Sequence, residues 1–406
     1  MSSTPPSTGT GRNTAGFFVS SLFAFVGGHV MNYSVILYSQ DVLGSTALAG
    51  LAFFLCFFPP LLLGLYAGVL CDRHSTKTLI GLAQGVFMLA ALCLLALRLL
   101  DVGPPMARAL VLLAGGLNGI AWSFIAPARY ASLGRLVGPA RLGQISVLFN
   151  LIVMVGFGAA PVCIGLTTQA YGWTATFAMG LGLFVLAQIT LPPVRMWWSA
   201  PATRRTVAHE FHAGLGYLRQ TPLLGQMLAI SLVVFLTMGP IQVVWPRFAR
   251  TILQLDDAHR GLYLGTLALA LIAGGALAGF LRTRVHNGHS ILIGTVLLGV
   301  ALMAMPVFDS GIGPISLIAA AGIVAGLVVS FIVAGLQTHT DGAMRGRILS
   351  FYTIGSQVGP ASAGLAAGLV ADAFGVTAGL YVGGAVIAGL GVLAVFALAR
   401  LRSFSA

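Results

Sequence analysis

The chain has 406 residues, 58% of them hydrophobic and 7% charged, and a mean hydropathy of +0.96. Soluble domains carry roughly 25% charged residues, so nine acids and twenty-one bases cannot coat the cores that this length would otherwise imply. The composition excludes a soluble protein and turns the formal charge of +12 into a question of membrane sides.

Residues 1–15, rich in Ser, Thr, Pro and Gly, lack the apolar core and cleavage site of a secretory signal and read as a disordered cytosolic tail. Beyond them, an apolar run of about twenty residues crosses a bilayer as a helix, because lipid satisfies no backbone donor or acceptor. Twelve runs fit, near 16–38, 46–70, 78–99, 107–128, 143–167, 174–192, 223–247, 260–281, 290–308, 315–338, 347–371 and 377–399. With the tail inside, Arg98, Arg108, Arg247, Arg250 and Arg260 are the five outside bases and the other sixteen, Arg129 among them, lie inside. The positive-inside rule therefore predicts both termini to be cytosolic, and the charge speaks of topology and headgroups rather than nucleic acid.

The longest polar break divides the spans six and six. The expected units are a bundle over 16–192, a cytosolic linker over 193–222, a second bundle over 223–400 and a short tail over 401–406. Within the linker, Val207, Phe211, Leu215 and Leu218 recur at helical spacing beside His209, Glu210 and His212, predicting an amphipathic helix on the inner membrane face. An internal echo supports the division. RLGQISVLFN from Arg141 runs into GFGAAP ending at Pro161, and RGRILSFYT from Arg345 runs into GSQVGP ending at Pro360. An offset near two hundred residues implies parallel repeats related by an axis along the membrane normal.

After the second span the chain reads GVLCDRHSTK, from Gly68 to Lys77. Gly68 permits close helix approach, and Asp72 at a helix end can pair with a base or a helix N-terminus across the interface of the halves; alternatively, Asp72 and Arg73 are solvated loop charges. The stretch resembles the loop signature of the major facilitator superfamily at Gly68, Leu70, Asp72, Arg73 and Lys77, with Ser75 and Thr76 replacing the second glycine and the first of the paired bases. APARYASLGRLV from Ala126, FNLIVMVGFGAAP from Phe149, GYLRQTPLL from Gly216 and the stretch from Arg345 are similar to the branch of enterobactin exporters and transmembrane secretion effectors. The segment Pro127–Tyr130 is similar also to bacterial lysophospholipid transporters. The resemblance implies an all-α membrane fold of twelve transmembrane helices in two parallel six-helix repeats. It implies a monomeric secondary transporter exporting small amphipathic molecules by alternating access, with Gly68, Asp72, Arg73 and Lys77 as a gate. Lipid transport is the alternative substrate reading, and a receptor or scaffold is the alternative class.

By that resemblance the first, fourth, seventh and tenth spans line the cavity. Their candidates are His29, Asn32 and Tyr33; Asn118 and Trp122; Met238, Gln242 and Trp245; and Ser330 and Gln337. Polar groups at this depth either face a cavity or bond between helices. A lining of Trp, Tyr, Met and few fixed charges suits an aromatic or amphipathic substrate. All nine acids map to loops or span ends, and His29 follows Gly28 where the branch has an acid, so His29 is the candidate for proton exchange. Gly156, Gly158 and Pro161, matched by Gly355, Gly359 and Pro360, are candidate hinges. The four cysteines and eight histidines show no zinc spacing or nucleophilic constellation, so neither metal, cofactor nor enzyme activity is expected.

Overall fold

The computed structural model describes residues 10–100, 102–137, 139–194, 207–281, 283–309, 312–342 and 344–404. In chain order the first half contains α1 (Thr10–Asp41), α2 (Thr46–Phe57), α3 (Pro59–Arg73), α4 (Thr76–Leu99), α5 (Pro104–Val137) and α6 (Pro139–Thr190). The connecting helix α7 (Val207–Gln220) precedes α8 (Pro222–Leu236), α9 (Met238–Val243), α10 (Trp245–Thr251), α11 (Asp257–Leu281) and α12 (Asn287–Ala304). Then come α13 (Gly313–His339), α14 (Arg345–Phe374), α15 (Val376–Ala397) and the short α16 (Ala399–Arg402). No strand occurs among the described residues.

Ten segments are individually long and apolar enough to cross a membrane. One of them, Leu148–Thr190, doubles back at Gly172, and α14, diluted by Ser, Thr and Gln, adds the last of twelve crossings. The reversal in α6 brings Thr167 Oγ1 within 3.4 Å of Met179 Sδ, a pair that a straight helix would hold far apart. Gly172 makes this turn at φ 76°, and Gly375 makes the equivalent turn between α14 and α15 at φ 94°. Only glycine takes such angles without strain, so the two halves repeat the same hairpin at the same place.

Local chemistry explains the other breaks. The second crossing is interrupted at Phe58, where Pro59 removes a backbone donor and restarts the helix as α3. Likewise Pro240 and Pro246 accompany the division of the seventh crossing into α8, α9 and α10. The connecting helix α7 rests on the second half: the backbone N–H of Asp341 donates to Tyr217 Oη at 3.1 Å.

Two crossings join the halves, α6 against α11 and α2 against α14. Both depend on absent side chains. A Cβ on Gly261 would stand 2.3 Å from the carbonyl oxygen of Pro161, and one on Gly368 would stand 2.6 Å from that of Thr46. The cores are distributed unevenly along the membrane normal. At the end away from the termini one core is shared by both halves, joining Tyr38 and Phe53 to Val243, Trp245, Phe248 and Leu264. At the end that carries the termini, Phe17, Phe25, Ile80 and Phe149 form one core, while Leu224, Ile291, Phe331 and Phe404 form another. Among the described residues the halves therefore share a core at the far end and keep separate cores at the near end.

Candidate functional site

The far-end closure is built on Asp41, the last residue of α1. Its carboxylate lies 2.5 Å from Arg250 and accepts bonds from Arg260 at 2.8 and 3.1 Å, while Arg260 also bonds Asp257. Asp41 and Arg260 expose only 3% and 5% of their side chains, so the pair is shielded from water and salt. Beside it, Gln40 donates through Nε2 to the carbonyl of Val243 and receives Arg247 on its own carbonyl. A second tie lies across the α2–α14 crossing. Asp372 accepts from Ser45 Oγ at 2.8 Å and from the backbone N–H groups of Thr46 and Ala47 at 2.8 and 3.0 Å. A carboxylate from one half thus caps a helix N-terminus of the other, where free donors and the helix dipole favour negative charge. The neighbouring Asp256 takes no part: it binds His259 within its own half, and the His259 backbone N–H, foremost, holds it below the ordinary carboxylate range.

The candidate pathway begins where the shared core ends. His29 and Trp122 remain half-buried in mid-crossing, their ring centroids 5.1 Å apart. His29 also meets Phe157 edge-on at 5.4 Å, and Tyr33 approaches Phe157 at 6.1 Å. His29 Nε2, Tyr33 Oη and Trp122 Nε1 are buried without a hydrogen-bond partner among the described residues. By contrast, Asn118 donates to Asn32 and contacts Cys56 Sγ at 3.6 Å, so these two asparagines bond α1 to α5. Met238, Gln242 and Trp245 lie at the fused end, where Trp245 has no exposed surface and stacks on Tyr263 at 5.7 Å. Ser330 packs against Gly275, and Gln337 is exposed at the near end of α13. The structure therefore brings His29, Tyr33 and Trp122 together but leaves the candidates of the seventh and tenth crossings elsewhere.

The surroundings of Gly68 and the side chains of Asp72 and Arg73 lie outside what the structure describes; Lys77 donates to the carbonyls of Pro192 and Val194 within its own half. Helices α6 and α14 continue through Pro161 and Pro360. Gly156 packs on Phe25 and Gly158 on Ala268, and Gly359 on Leu232 and Phe235, whereas Gly355 has looser surroundings.

A family model described as Major Facilitator Superfamily matches residues 16–343. The chain belongs to the Major Facilitator Superfamily. Among curated relatives, the enterobactin exporter EntS of Shigella boydii serotype 4 is 28% identical over 406 residues, spanning 95% of this chain and 92% of the relative. EntS of Salmonella choleraesuis is 26% identical over 343 residues, spanning 83% and 80%. Among solved structures, a bacterial homologue of the iron transporter ferroportin in an inward-facing state matches with a TM-score of 0.75 and 14% identity, covering 97% of this chain and 99% of that one. A peptide transporter of the POT family, crystallised with sulfate, matches at 0.78 and 12%, covering 96% and 95%. The fold is that of the superfamily, and the chain is a multi-pass membrane transporter of small molecules rather than an enzyme.

For this superfamily member, two features escape sequence reasoning. The first is the Asp41 cluster. Its acids and bases were legible only as span-end charges, because their partners lie 219 positions away. The second is Arg129, expected in the loop after the fourth span. Helix α5 instead runs on to Val137, leaving Arg129 fully buried inside it. The apolar run ends at Arg129 but the helix does not, since Leu133 and Leu136 beyond it pack into the core with Phe17, Ile80 and Phe149.

Proposed function

We propose that this chain exports small amphipathic molecules across a bacterial inner membrane by alternating access, working as a monomer with both termini in the cytosol. On that orientation the separate cores face the cytosol and the fused end faces outward. The observation that carries the proposal is this asymmetry: the buried tie of Asp41 and the surface cap by Asp372 hold one end shut while, among the described residues, no shared core joins the other. Two ends that can be sealed in turn are what vectorial movement requires. Asp72, Arg73 and Lys77 would form the opposing cytosolic gate, and the matched Gly156, Gly158, Pro161 and Gly355, Gly359, Pro360 segments would absorb the bending. His29, placed among aromatic rings without a bonded partner, is the group for proton exchange. The amphipathic substrate class is supported by the rings around Trp122 and by the relatives' printed role.

Reconstitution tests this reading. Proteoliposomes holding the purified chain are given a pH gradient and assayed for movement of a fluorescent amphipathic dye, a siderophore and a lysophospholipid. Gradient-driven movement of the dye or siderophore is expected, with loss of gradient dependence in His29→Gln. Binding without movement would favour a receptor, movement of the lysophospholipid alone would favour lipid transport, and a fully coupled His29→Gln protein would remove histidine from coupling.

A further inference from the structure

The first half carries a full charge within its membrane-spanning segments that neither gate uses. Arg129 lies in the apolar stretch Pro104–Leu133 and has no exposed surface. It donates through one terminal nitrogen to Ser21 Oγ at 2.6 Å and through the other to Ser20 O and Oγ, both at 3.4 Å. The guanidinium sits over Phe17 and Phe25, 5.6 and 6.0 Å from their centroids. Among the described residues no carboxylate pairs with it, and its Nε has no acceptor. Burying such a charge without a counter-charge is costly, so an uncompensated arginine at this depth marks a functional site by default.

The same seam between α1 and α5 contains further unsatisfied tips, Trp122 Nε1, His29 Nε2 and Tyr33 Oη, with Asn32 Nδ2, Ser34 Oγ and Asn118 Oδ1 further along the two helices. Phe25 links them to the arginine, since it stacks on Trp122 at 5.9 Å on one side and meets Arg129 on the other. None of these groups carries a negative charge. Arginine and tryptophan nitrogens only donate, and tyrosine donates readily. Phe149 and Phe87, the rings that close the seam from α6 and α4, supply no acceptor. What the seam lacks is an acceptor-rich group bearing negative charge, attached to something flat and apolar.

We propose that this seam binds an amphipathic organic anion, with its carboxylate or phenolate against Arg129 and Ser21 and its aromatic body among Phe25, Trp122 and Phe149. The two long contacts to Ser20 are the weak ones and are those an incoming anion replaces. Charge-assisted bonds to a guanidinium are stronger than neutral ones, so the charge on the ligand sets the selectivity. This deepens the export reading by naming its substrate class and rests on that reading for the direction of movement only.

The test is calorimetric titration of the full-length chain in detergent with 1-naphthoate and 1-naphthamide, which share a ring system and differ by one charge. The wild-type protein should bind the naphthoate about tenfold more tightly. Arg129→Gln should abolish that preference while leaving naphthamide binding in place, and Arg129→Lys, which keeps a charge but loses the fork, should retain a reduced preference. Equal affinities in the wild type, absence of naphthoate binding at millimolar concentration, or an undiminished preference in either variant would overturn the site. If Arg129→Gln also loses naphthamide, the lysine variant decides. A liposome assay that moves a neutral dye while calorimetry finds no preference leaves export standing and removes this site; preference without movement does the reverse.

Discussion

Replacing Asp41 by Asn would loosen the far-end closure. The substitution keeps size but removes the charge that Arg250 and Arg260 share, and it leaves Arg260, almost fully buried, with Asp257 as its remaining acid. Breaking a buried ion pair outright costs about 3–5 kcal/mol. Since Asp257 still compensates Arg260 in part, about 1.5–3 kcal/mol is the fitting range here, charged hydrogen bonds being worth roughly that each. The loss falls on the far-end-closed state alone, because the opposite state must part Asp41 from α10 and α11. A shift of about 1.4 kcal/mol changes the ratio of states about tenfold. The assay is the labelling rate of a single cysteine, Thr168→Cys, by a membrane-impermeant maleimide in a protein otherwise lacking cysteine. Thr168 lines the small cavity beside Asp41, Asp257 and Arg260, which should open when the latch parts. Labelling should rise at least about tenfold in Asp41→Asn. An unchanged or slower rate, with the fold intact by melting temperature, would refute the assignment of these charges to the closed end.

Asp372→Ala removes three bonds across the α2–α14 crossing and should cost about 1 kcal/mol of cap energy, raising the same labelling rate several-fold and lowering the melting temperature. Gly261→Val puts a side chain where a Cβ alone would stand 2.3 Å from the Pro161 carbonyl, so it should prevent far-end closure and stop transport; retention of full turnover would contradict the close crossing. Asp72→Ala should cripple turnover in liposomes while leaving ligand affinity within a few fold, and unchanged transport would remove it from the cytosolic gate. Gly172→Ala forces an L-residue to φ 76° with ψ −179°, a region essentially restricted to glycine, and should cost about 1–3 kcal/mol, read as a lower melting temperature with unaltered substrate affinity.

Much of the architecture is written locally. Most crossings are apolar runs, and lipid leaves such a run no option but a helix, so they could be placed one at a time. The repeat needed only the echo of Pro161 by Pro360. The same locality limited the reading of side chains. Asn32 and Asn118 shared the polarity expected of a cavity lining, yet they bond to each other across two helices. Trp245 had the character of a substrate contact and is sealed in the shared core.

By itself, then, the sequence determined the spans, their pairing into two like halves, the superfamily and the absence of acids from the middle of the membrane, since each follows from the order of neighbouring residues. Tertiary structure alone decided which end is closed and which charges close it. Asp41 and Arg260 are 219 positions apart, and Asp372 reaches Ser45 across 327. Pairing over such distances depends on how packed helices cross, which no local pattern encodes. Arg129 marks the boundary between the two: its charge was visible in the chain, but its solitude became visible only once the helices around it were in place.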